Sequence, residues 1–214
     1  MKKTVIPFII SLILLFTNCT STNNTFGVEN SINEFVSEYV DEFTDDITVM
    51  PSKRTQHFFK EGFDVATTLL LRPYFINTNG NWICRLQMIY PFTNKKIEKI
   101  VLMSDASRIT LDLNLEYESL VRERPFSATI LADVDNNIYG DFLISENQYL
   151  LLTDFFTNEK NIQAAVYFID NTVKKLPEYK TYAKKDYSAM YDYYKTNNLS
   201  GKFANMNNLS ITKR

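Results

Sequence analysis

Apolar residues set three different rhythms along the chain. Val5 to Phe16 is an apolar run interrupted only by Pro7 and Ser11. Between Ser31 and Phe43, the residues Ile32, Phe35, Val36, Tyr39, Val40 and Phe43 recur at the three-and-four spacing of a helix face. Ser31 and Glu34 stand at capping-box distance, so the pattern predicts an amphipathic helix over Ser31–Phe43. The polar face of that helix (Glu34, Glu38, Asp41, Glu42) is acidic, and anionic headgroups would repel it. Its apolar stripe is therefore expected to cover a sheet.

From Ile47 to Ile144 the period shortens to two. Val65–Ile76 and Trp82–Tyr90 flank Asn77-Thr78-Asn79-Gly80-Asn81, a hairpin signal with a glycine for positive φ. Ile97–Met103 reads as a further strand. Ile109, Leu111, Leu113 and Leu115 alternate with Thr110, Asp112 and Asn114, the clearest half-buried strand of all. Phe126–Ala132 and Ile138–Ile144 bracket Asp133-Val134-Asp135-Asn136-Asn137 as a second hairpin.

Ser145 is placed to cap a helix bearing Tyr149, Leu150, Leu152 and Phe156 and ending near Asn158. Ile162–Ile169 reads as a strand, followed by a turn at Asp170-Asn171 and an extended stretch towards Tyr182. A last helix is expected from about Asp186, with Tyr187, Met190, Tyr191 and Tyr194 on one face. Beyond Thr196, Asn, Ser, Lys and Gly dominate, the composition of a flexible tail over 197–214. The fold class expected is α+β, a single domain over 28–196. It would be a mainly antiparallel β-sheet or sandwich with an N-terminal helix and two C-terminal helices packed on it.

The first apolar run has a different character. Lys2 and Lys3 precede it, and it is too short for the about 20 residues that span a bilayer as a helix. A basic start before a short apolar core is the layout of a secretory signal, here residues 1–18. The residues before Cys19 are Phe16, Thr17 and Asn18, with Leu14 and Leu15 close by. This stretch resembles the relaxed lipobox of spirochaete-type bacterial membrane lipoproteins. The resemblance implies that Cys19 becomes the first mature residue and carries covalent lipid, palmitate among its acyl chains. Residues 19–27 would then be the lipidated cysteine and a short tether of small polar residues. The implied address is the cell envelope, with the outer membrane favoured over the inner.

Loss of Lys2 and Lys3 with the leader takes 23 basic side chains to 21, against 25 acidic, for a net charge of −4. No basic run survives, so nucleic acid and anionic membrane surfaces are poor partners on electrostatic grounds, and no nucleic-acid partner is expected. With Cys19 committed to lipid, Cys84 is the only remaining thiol, and the body must be stabilised by burial rather than by a disulfide. The apolar share of 45%, including 16 Phe and 13 Tyr, is enough for a packed core.

Candidate chemistry is sparse. His57 is the only histidine, so paired imidazoles cannot hold zinc. As a general base it would need a nucleophile and an orienting carboxylate. Cys84 shares strand parity with Trp82, Leu86 and Met88, which makes it a small core residue, while Arg85 points the other way. Asp133, Asp135, Asn137 and Asp141 set oxygens at alternate positions, as a calcium loop does. However, Ile138 and Ile144 occupy the places that need Gly and Glu. These four are candidates for a weak metal site, and a plain hairpin turn explains them as well. Tyr187, Tyr191 and Tyr194 are candidate binding aromatics on a stripe that equally suits a core.

No phosphate loop, nucleophile elbow or metalloprotease helix is present. No cofactor is expected beyond the lipid. The expectation is a non-enzymatic binding or assembly domain meeting the membrane through its anchor and an envelope protein or glycan through its body. The alternatives are an envelope hydrolase using carboxylates with His57, or a calcium-dependent adhesin-like module.

Overall fold

The computed structural model describes residues 28–31, 35–41, 43–52, 59–60, 68–91, 95–113, 137–177 and 182–214. At its centre is the hairpin of β5 (Thr68–Thr78) and β6 (Asn81–Pro91). The turn is two residues long, Asn79 at φ 52° and Gly80 at φ 84°, the left-handed pair that matches the twist of a hairpin. Asn77 Oδ1 accepts the Gly80 amide at 2.8 Å and closes it. The register that follows sets Tyr74 opposite Arg85 and Phe75 opposite Cys84.

Around this pair grows the larger sheet, in the order β1-β2-β3-β5-β6-β9, with β4 (Phe59–Lys60) on the end of β5. Its outer members are β1 (Val28–Ser31), β2 (Val36–Val40), β3 (Ile47–Pro51) and, beyond β6, β9 (Asn137–Leu143). The smaller sheet runs β11-β10-β7-β8-β12. Its strands are β7 (Ile97–Met103), β8 (Arg108–Asp112), β10 (Gln163–Phe168), β11 (Val173–Pro177) and β12 (Ser210–Lys213). Every strand pairing within the two sheets is antiparallel.

Among the described residues, two helices pack with these sheets, α1 (Glu146–Asn158) and α2 (Tyr182–Thr196). Ser145 caps α1 through a full capping box with Gln148. The helices touch each other, and α2 lies against β5, β2 and β3. One buried cluster draws on both sheets and both helices, from Leu71, Phe75, Cys84 and Met88 through Ile100 and Leu111 to Tyr149, Phe156, Tyr187 and Met190. Phe75 meets the Tyr149 ring edge-on at 5.1 Å, and Phe156 stacks on Tyr187 at 4.5 Å.

The chain is β-rich, mostly antiparallel and α+β. Strand β7, the hairpin, β9, β10 and α1 fall where the pattern predicts them. Three expectations are corrected. In place of a helix over Ser31–Phe43, the described residues form strands β1 and β2. Val36, Ser37 and Tyr39 are all buried, so β2 is covered on both faces. A strand with apolar residues on both faces loses its alternation and imitates helical spacing over a few residues. Helix α2 begins at Tyr182, ahead of Asp186, because buried Ala183 extends its apolar face by a turn. The expected tail over 197–214 is built into the fold: Leu199, Phe203 and Leu209 are buried, and β12 pairs with β8. The Phe126–Ala132 strand and the leader lie outside the described residues.

Candidate functional site

Three strands bring one polar constellation together on the larger sheet. The β5–β6 register sets Tyr74 across from Arg85, and the β6–β9 register sets Asp141 across from Gln87, a diagonal neighbour of Arg85. The Tyr74 hydroxyl donates to Asp141 Oδ2 at 2.8 Å. Arg85 Nε donates to Oδ1 at 3.0 Å, and its Nη2 lies 2.8 Å from Oδ2. A guanidinium fork on a carboxylate is the strongest ordinary ion-pair geometry, and a phenol on the same oxygen fixes it further. Arg85 and Asp141 are half-buried, their side chains 28% and 33% exposed.

Electrostatics hold these groups in one protonation state. Burial, then the neighbouring Asp141 charge, pushes the Tyr74 phenol well above its ordinary range, so it stays a donor. At Arg85 burial opposes the charge, but Tyr74 and Asp141 together raise its pKa. Chemically, the constellation is a closed donor–acceptor set: both oxygens of Asp141 accept from side chains of its own sheet. Asp141 is the one candidate metal ligand whose side chain is described. Asn137 opens β9, while Asp133, Asp135 and His57 lie outside the described residues. Among the described residues no group of three metal-binding side chains converges.

A second pair is fully interior. Arg72 Nε on β5 donates to Asp186 Oδ2 on α2 at 3.2 Å, with both side chains buried. Burial lowers the pKa of the Arg72 guanidinium, and Asp186 offsets only part of that effect.

The three tyrosines of the aromatic stripe divide. Tyr187 is wholly buried against Phe156. Tyr194 is buried, stacks on Phe203 and donates its hydroxyl to Glu146. Tyr191 is half-exposed, stacked on Tyr194, with Lys195 Nζ 4.6 Å above its ring. Of the three, Tyr191 alone is partly exposed. Cys84 is a buried free thiol on the apolar face, as its parity predicts, and burial followed by Glu146 pushes its pKa well up.

Sequence reading missed Tyr74 and Arg85, although the hairpin contained the signal. A two-residue turn at Asn79-Gly80 makes Tyr74 and Arg85 cross-strand partners. No family model, curated protein or solved structure matches the chain.

Proposed function

We propose that this protein is a lipid-anchored envelope lipoprotein whose body is a non-enzymatic binding or assembly domain. The observation that carries this reading is the stretch Met1 to Cys19: a basic start, an apolar run too short to span, and a lipobox-like approach to a cysteine. No helix among the described residues is long and apolar enough to cross a membrane, so attachment in this reading comes from acyl chains on Cys19. The state of Cys84 supports it. A thiol this deeply buried has no use for a disulfide partner, which leaves Cys19 free for lipid.

The body suits binding better than turnover. Its Tyr74–Arg85–Asp141 constellation is engaged with itself, and its buried aromatics serve the core. A half-buried charge set on one face of the larger sheet and, separately, a partly exposed stacked tyrosine on α2 are the surfaces this reading offers to an envelope protein or glycan.

The test is Cys19→Ala, followed by fractionation of cells expressing the full chain. Under this reading the variant leaves the membrane fraction and folds normally. Continued sedimentation with membranes would contradict it.

A further inference from the structure

The register of the larger sheet gathers three chain segments at one end. Val28 pairs with Val40, Val40 with Ile47, Ile47 with Asn77, and Asn77 with Trp82. The start of β1, the β2–β3 turn and the β5–β6 turn therefore share that end. Phe43 stands in the β2–β3 turn and is 78% exposed, the most exposed large apolar side chain among the described residues. Its position is built. Asp41 Oδ1 accepts the amides of Phe43 and Thr44, the Asp41 amide donates to the Asp46 carbonyl, and Asp45 takes positive φ. Met206, 43% exposed, belongs to the same end, because the neighbouring Ala204 amide donates to the Trp82 carbonyl at 2.8 Å.

Val28 is also where the chain from Cys19 enters the sheet. The segment from Cys19 to Val28 spans about 30 Å even fully extended. Strand β5, with 11 residues, is roughly 36 Å long. A tether of that length keeps a membrane holding Cys19 within about 30 Å of the end of the sheet that carries Val28 and Phe43. An exposed phenylalanine gains by burying its ring at the boundary between headgroups and acyl chains. Asp41, Asp45 and Asp46 beside Phe43 disfavour an anionic surface, so the lipid that fits is zwitterionic.

We propose that this end of the sheet rests on the zwitterionic bilayer surface that anchors Cys19, with Phe43 inserted among the headgroups. The inference rests on the lipid-anchor reading and adds an orientation: β5 and β6 stand away from the membrane, and the Asn79-Gly80 turn lies next to it.

The test uses full-length acylated protein in phosphatidylcholine vesicles whose acyl chains carry bromine near the carbonyl end. Phe43→Trp and Ile169→Trp are compared, with wild type, whose Trp82 is buried, as the blank. Ile169 is the control because it is exposed on the smaller sheet, beside the β10–β11 turn. The expected result is blue-shifted, bromine-quenched emission from the tryptophan at position 43 and unquenched emission from that at 169. If the protein is acylated and floats with the vesicles but position 43 is unquenched, or 169 is quenched instead, the orientation is overturned and the anchor stands. If the protein carries no acyl chain and does not float, both are overturned.

Discussion

Arg72, midway along β5, is joined to Asp186 on α2 by a buried ion pair with an N–O distance of 3.2 Å. It ties the last helix to the centre of the larger sheet. Two charges removed from water stabilise each other, and taking away Arg72 deprives Asp186 of a buried counter-charge. Arg72→Met is expected to cost about 3–5 kcal/mol in urea denaturation. The double variant Arg72→Met, Asp186→Leu is expected to recover more than half of that loss. Equal instability of the single and double variants would show that the pair does not act as a unit.

Buried phenols predict alkaline lability. Tyr74, Tyr149 and Tyr187 all have pKa values raised by burial above the free value of 10.0, and Tyr193 is pushed up to about 12 by burial and Glu38. A group whose folded pKa is raised keeps its proton in the folded state and releases it on unfolding. Its contribution to stability is complete below the free value and is lost as pH rises past it. Each of the buried phenols Tyr74, Tyr149 and Tyr187 is expected to lower stability by about 1.4 kcal/mol per pH unit above 10.0, and the partly exposed Tyr193 by less. Urea melts across that range measure the slope, and Tyr149→Phe should make it shallower. A flat profile would contradict the burial of these hydroxyls.

Gly140 on β9 faces Met88 across the ladder, and the Phe142 ring lies over it. A Cβ at this position would sit 2.8 Å from Phe142 Cε2 and Cζ and 3.1 Å from Met88 Cε. Both neighbours are buried. Gly140→Ala is expected to destabilise by about 1–3 kcal/mol through overpacking. A neutral change in thermal denaturation would mean that the ring moves aside at no cost.

Local chemistry made the hairpin, β8 and α1 legible: a glycine turn, strict alternation and a serine cap each act within a few residues. Strand β2 misled because burial on both faces erased its alternation, and that burial is a property of the assembled sheet. The C-terminal residues misled for a related reason. Leu199, Phe203 and Leu209 are scattered through Asn, Ser and Lys, and the pairing of Ser210 with Asp112 joins segments far apart in the chain. The polar constellation was half legible. The Asn79-Gly80 turn makes Tyr74 and Arg85 partners, but the reach of Arg85 to Asp141 depends on the β6–β9 register, which no local pattern specifies. For Asp141, the alternating oxygens drew attention to a residue whose partners lie on two other strands.

The most direct measurement is mass spectrometry of the N-terminal peptide of the mature protein, purified from membranes. The lipid-anchor reading predicts a chain that begins at Cys19 and carries acyl chains on that residue. A mature protein that begins at another residue, or an unmodified Cys19, would contradict it.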